Sequence, residues 1–60
     1  MKKTYKMATI GQLNRQTRKY TYIERRVYED ESGNEYVCIN RSFFEIDCLR
    51  KLGDTVSIWF

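Results

Sequence analysis

Five consecutive residues, Asp30-Glu31-Ser32-Gly33-Asn34, form a dense turn signal between two runs rich in Tyr, Val and Ile, Lys19–Glu29 and Glu35–Arg41. Runs of this composition around such a turn define a β-hairpin. Aspartate at the first position and glycine at the fourth fit a type I turn, with Gly33 free to take the left-handed conformation that makes a bulge. An odd-length loop pairs odd residues with odd ones, for example Val27 with Val37 and Arg25 with Ile39. That register sorts Ile23, Val27, Val37 and Ile39 to one face. Tyr20, Tyr22, Tyr28 and Tyr36 fall on the other, with Glu24, Arg26 and Cys38. A slip of one residue would mix the two sets, so the sorting itself supports the register.

After Arg41 the period changes. Ser42-Phe43-Phe44-Glu45 has the form of a capping box, in which serine and glutamate satisfy each other's amides at the start of a helix. Glu45 and Asp47 then fall in early turns, Arg50 and Lys51 in the last, and Gly53 follows as a left-handed stop. These signals predict a helix over Phe43–Leu52, with Phe43, Ile46, Leu49 and Leu52 recurring every three residues and Phe44 and Cys48 widening the apolar stripe. Asp54–Phe60 alternates, Val56, Ile58 and Phe60 against Thr55, Ser57 and Trp59, as a half-buried strand does. Thr4–Ile10 is strand-like without a clearly apolar face. Gly11 breaks that run, and Gln12–Arg18, polar apart from Leu13, reads as a long loop. The expected fold is therefore α+β: a small antiparallel sheet of the hairpin and the C-terminal strand, with an N-terminal strand, packed on one short helix in the order β-β-β-α-β. It fills the chain as one domain, residues 1–60, in which 1–18 form a basic N-terminal strand or arm and loop.

Sixty residues leave a thin core, because a chain of this size hides only about 60% of its unfolded surface. Domains so small commonly lean on disulfides, a metal or oligomerisation. Cys38 and Cys48 are the only cysteines and histidine is absent, which argues against a metal site. Both cysteines sit among apolar residues and are expected as reduced core thiols. A homodimer is the remaining expectation. Nothing approaches the roughly 18 apolar residues of a membrane span, and Met1-Lys2-Lys3 leads into Thr4-Tyr5-Lys6, not an apolar signal core. An intracellular protein is expected, with no membrane partner and no cofactor.

The net charge of +3 hides an asymmetry. Residues 1–26 carry eight cations against Glu24 alone, a net of +7, while residues 27–60 carry Arg41, Arg50 and Lys51 against seven carboxylates, a net of −4. Acid–base catalysis at neutral pH leans on histidine, which this chain lacks, so no enzyme is expected. Glu29, Asp30, Glu31 and Glu35 cluster at the hairpin turn in no cation-binding spacing, and Cys48 has no base to activate it. What remains is the tyrosine face beside the basic third of the chain. Aromatic rings on a sheet stack on exposed bases while lysine and arginine neutralise phosphates, and basic β-ribbons also enter the major groove. The leading expectation is a non-catalytic module binding DNA or RNA through Lys2, Lys3, Lys6, Arg15, Arg18, Lys19, Arg25 and Arg26. Tyr20, Tyr22 and Tyr28 supply stacking or wall residues, and Tyr36 joins the candidate nucleic-acid or partner-binding residues. The same residue types dominate protein–protein hot spots. The alternative is an interaction module, such as an inhibitor or adaptor of a nucleic-acid-handling protein, with the tyrosine face also a candidate dimer interface.

Overall fold

Three reversals, each set by local chemistry, fold the first three-quarters of the chain into a meander. A computed structural model describes residues 1–60. β1 (Lys2–Asn14) and β2 (Lys19–Glu29) meet at a loop organised by Asn14. Its side-chain oxygen accepts from the amides of Gln16 (3.0 Å) and Thr17 (3.4 Å), and its carbonyl from that of Arg18 (2.7 Å). Arg18 closes the loop in the left-handed region, at φ 58°.

β2 turns into β3 (Glu35–Ile39) over the expected signal. Gly33 donates its amide to the Asp30 carbonyl at 3.1 Å, with φ +84°. The third reversal is Asn40-Arg41, both left-handed at φ 51° and 66°. Two such residues make a type I′ turn, whose twist matches that of the strands it joins. It sends Ser42–Glu45 back along β3 as β4.

That turn corrects the helix assignment. Ser42 pairs with Ile39 and does not cap. The helix α1 spans only Ile46–Lys51, with Glu45 as an extended N-cap residue making no side-chain cap bond. The three-residue spacing from Phe43 therefore runs across a strand-to-helix junction. Phe43, Phe44, Cys48 and Leu52 are all exposed, and only Ile46 and Leu49 face the core. The Gly53 stop is present, at φ 98°, its amide donating to the Arg50 carbonyl at 3.1 Å.

β5 (Thr55–Trp59) then pairs antiparallel with β1, so the sheet runs β4-β3-β2-β1-β5 with α1 crossing from one edge to the other. The result is a small α+β fold, with one strand, β4, more than the sequence suggested. Strand content also extends through Gln12-Leu13-Asn14, where a loop was expected. Pairing with β2 explains this, since Gln12, Leu13 and Asn14 lie opposite Thr21, Tyr20 and Lys19. On its other side β1 pairs with β5 over Met7–Gly11. The β2–β3 ladder covers only Val27–Glu29, so the anticipated pairing of Arg25 with Ile39 is not made. Asp54 precedes β5 and accepts from the Leu13 amide through its side chain at 3.4 Å. Phe60 lies past the strand, 87% exposed, and does not join Val56 in the core.

The core is Ala8, Ile10, Val27, Val37, Ile39, Ile46, Leu49 and Val56, with Ile23 and Ile58 packed against it. The inward face of the hairpin is thus the one expected. The core contains no ring. Seven of the nine aromatic side chains are exposed, and Tyr28 and Tyr36 are half-buried.

Candidate nucleic-acid interface

β1 and β2 build a long two-stranded ribbon whose outward face, away from the core, is set by register. Leu13 lies opposite Tyr20, Gly11 opposite Tyr22, Thr9 opposite Glu24, Met7 opposite Arg26 and Lys3 opposite Tyr28. The ladder slips once, where Thr4-Tyr5-Lys6 bulge opposite Val27. The Thr4 hydroxyl donates to the Val27 carbonyl at 2.7 Å, and the half-buried Arg26 guanidinium donates to the Thr4 carbonyl at 2.9 Å. Two excess residues preserve parity, so both ends of the ribbon present the same face.

Ten of the twelve expected binding residues fall into three groups on this frame, Arg25 and Arg26 lying between them on β2. Arg15 and Arg18 occupy the loop at the ribbon's tip, Lys19 follows directly, and Tyr20 and Tyr22 stand beside them on the outer face. The two rings are near-parallel, their planes 27° apart and their centroids 6.2 Å apart. Tyr22 is 64% exposed. Its ring crosses Gly11, where a β-carbon would come within 2.8 Å of the tyrosine Cε1 and would also meet the Thr55 hydroxyl. The tyrosine hydroxyl of Tyr20 reaches to 3.5 Å from the Gly53 carbonyl.

The second group, Lys2, Lys3 and Lys6, lies at the far end of β1, close to the acidic turn. Lys6 is paired with Glu35 at 3.3 Å, and Lys2 sits opposite Glu29. The only other ion pair joins Arg50 to Asp47 at 3.7 Å on α1, so the tip cations carry no carboxylate partner. Arg25 and Lys19 alternate onto the core-side face of β2, where Arg25 donates to the Glu24 carbonyl at 2.7 Å. The eight cations therefore do not form a single patch.

Tyr28 and Tyr36 make the third group, and their rings are engaged within the fold. They pair directly across β2 and β3, and Tyr28 meets Phe43 edge-on at 5.1 Å. Tyr36 donates its hydroxyl to the Asp30 carboxylate at 3.1 Å. The amides of Ser32 and Asn34 (both 2.9 Å) and the Asn34 side chain (3.1 Å) donate to the same carboxylate. Desolvation acts to raise the Asp30 pKa, the four donors act to lower it, and the net is a carboxyl held below its ordinary value. Tyr36 is pushed above its ordinary value, first by its bond to Asp30, then by desolvation and the charges of Asp30 and Glu45.

Trp59, Tyr5, Phe43, Phe44 and Phe60 join the exposed rings without having been singled out by sequence. Trp59 was legible as outward by alternation in β5; its indole donates to the Thr9 hydroxyl at 2.9 Å across the strand pair. Tyr5 carried no signal, because its exposure follows from the bulge. Cys38 is half-buried on the outer face and Cys48 is exposed, both as free thiols, so neither belongs to the core as expected. No group of histidine, cysteine or carboxylate side chains is gathered to hold a metal ion, and no helix is long and apolar enough to cross a membrane. Comparison with protein-family models, curated proteins and solved structures finds no significant match.

The surface is large for the mass. The chain exposes 4731 Å², against about 4,200 Å² expected of a compact monomer of 7.3 kDa. The excess reflects the projecting ribbon and its solvent-facing rings.

Proposed function

We propose that this protein is a non-catalytic nucleic-acid-binding module whose primary contact surface is the tip of the β1–β2 ribbon. The observation that carries this reading is the placement of Arg15 and Arg18, without carboxylate partners, in the loop beside the near-parallel, exposed rings of Tyr20 and Tyr22, with the unpaired Lys19 on the opposite face of the same end. Cations neutralise phosphates at such a surface, and each base stacked on a ring adds about 1–3 kcal/mol with little regard to its identity. The aliphatic core strengthens the argument. Rings are the largest apolar groups available for folding, and here seven of the nine are left on the surface.

The test is binding of a short single-stranded oligonucleotide in about 0.1 M salt, followed as salt is raised. Changing Arg15, Arg18 and Lys19 together to glutamate should abolish binding with the circular dichroism spectrum unchanged. Neutralising the same three to glutamine should lower the slope of log affinity against log salt by about 2, at roughly 0.7 per lost contact to a single strand. Affinity indifferent to these changes would sink the proposal.

A second reading rests on a different region. Phe43 and Phe44 are exposed on β4, at the sheet edge away from the tip cations. Aromatic and apolar anchors of this kind suit a protein partner, either an enzyme that handles nucleic acid or a second copy of this chain. Recovery of one defined protein in a pull-down that survives nuclease treatment would favour it.

A further inference from the structure

A shallow groove of about 270 Å³ lies at the end of the ribbon opposite the tip, between the β1 bulge and the end of β5. Lys2, Lys3, Thr4, Tyr5, Lys6, Glu29 and Phe60 line it. Two features distinguish it from the solvated surface around it. Tyr5 and Phe60, at 90% and 87% exposed, are the most open rings in the chain and both border this one groove. Lys2 and Lys3 have no carboxylate within ion-pair distance, while Lys6 is held by Glu35. Exposed rings beside ammonium groups free of ion pairs, with Glu29 the one carboxylate in the lining, match the two halves of a nucleotide, a base with a π-face and a phosphate. The volume is below the roughly 300–1,000 Å³ of pockets that enclose a drug-sized molecule, and suits one nucleotide lying half in solvent.

We propose, building on the reading of the tip as a nucleic-acid contact, that this groove is a second anchor for the same unpaired strand and binds a nucleotide distant from those at Tyr20 and Tyr22. Along β1, Tyr5 of the groove is six and eight residues from Gly11 and Leu13, which lie opposite Tyr22 and Tyr20, about 20–26 Å at 3.3 Å per residue and within the molecule's 37 Å long axis. A strand long enough to span them binds at both ends, and the second contact forms at high effective concentration. A short strand engages only one.

Oligodeoxynucleotides of about 4 and about 12 residues, within the range of footprints seen for small single-strand-binding domains, separate the outcomes. The longer should bind the unaltered protein at least about 10-fold more tightly. Combining Lys2→Gln, Lys3→Gln and Tyr5→Ser, all at exposed positions, should remove most of that advantage and leave the short oligonucleotide's affinity within about twofold. If the advantage persists in that variant, it comes from the greater number of binding registers on a longer strand, and the groove is not an anchor. If short-strand binding is unaffected by glutamate at Arg15, Arg18 and Lys19, the tip reading fails instead. Failure of both oligonucleotides to bind overturns both.

Discussion

The ring of Tyr22 lies across Gly11 on the neighbouring strand, close enough that a β-carbon at Gly11 would come within 2.8 Å of its Cε1. Glycine here does not serve a turn. It lets an aromatic side chain cover the ribbon backbone while one flank of the ring stays open to solvent. Gly11→Ala must displace Tyr22, Thr55 or the strand itself, and overpacking of this kind costs about 1–3 kcal/mol. Chemical denaturation should register that loss. Oligonucleotide affinity should fall with it, because the ring moves; an alanine variant as stable as the parent would mean that Tyr22 yields freely and is not held in place.

The turn carboxylate gives stability an acid limb. The pKa of Asp30 is lower in the fold than in the unfolded chain, so its contribution is complete above the unfolded value of about 3.9 and is lost as pH falls through the folded one. Tyr36 is raised, so its contribution is complete below about pH 10 and is lost as pH climbs through its folded value. Melting temperature should hold a plateau between and decline on both sides. Asp30→Ala should lower the plateau and flatten the acid limb, while Tyr36→Phe should flatten the alkaline limb. Profiles parallel to that of the parent in both variants would show that this turn does not set the pH response.

Arg41 stands at φ 66° in the second central position of the β3–β4 turn, a conformation costing a side-chain-bearing residue about 1–2 kcal/mol. Arg41→Gly removes that strain but loosens the unfolded chain by about 0.4–1 kcal/mol. The net should be a gain of about 0.5–1 kcal/mol, seen as a higher denaturation midpoint with an unchanged slope. A loss would show that Arg41 makes a contact worth more than the strain.

Ending the chain at Ser57 removes Ile58, which packs on the core, and Trp59, which bonds Thr9. The expected destabilisation is about 2–4 kcal/mol from lost burial and lost hydrogen bonds. Ending it at Trp59 deletes only the exposed Phe60 and should leave the melt unchanged. Equal melts for all three chains would contradict the place of β5 beside β1.

Particular residues show why the sequence yields some of this and not the rest. Val27 opposite Val37 was readable because Asp30 and Gly33 fix the loop and β-branched residues sort by parity. β4 was not, because Asn40-Arg41 turns without a glycine and Ser42 with Glu45 imitates a cap. The length of β1 was hidden by the bulge at Thr4–Lys6, which breaks its alternation, and by Gly11, which signals a break in sequence but is paired between Tyr22 and Thr55 inside the strand. Composition revealed the excess of cations in residues 1–26. It could not reveal that Glu35 reaches Lys6 and leaves the tip bare, since that depends on which strands become neighbours.

The aliphatic core also decides what light can report. Trp59 is the only tryptophan and is 42% exposed in the folded chain, so its emission will shift less on unfolding than that of a tryptophan buried in a core. The tyrosines are likewise outside or half outside. A small emission shift on denaturation would usually be taken as a sign of a poorly packed protein; here it is what an ordered fold with its chromophores on the surface should give. The same placement makes those chromophores respond to whatever settles on them, so optical titration will be a sensitive gauge of ligand and a poor one of unfolding.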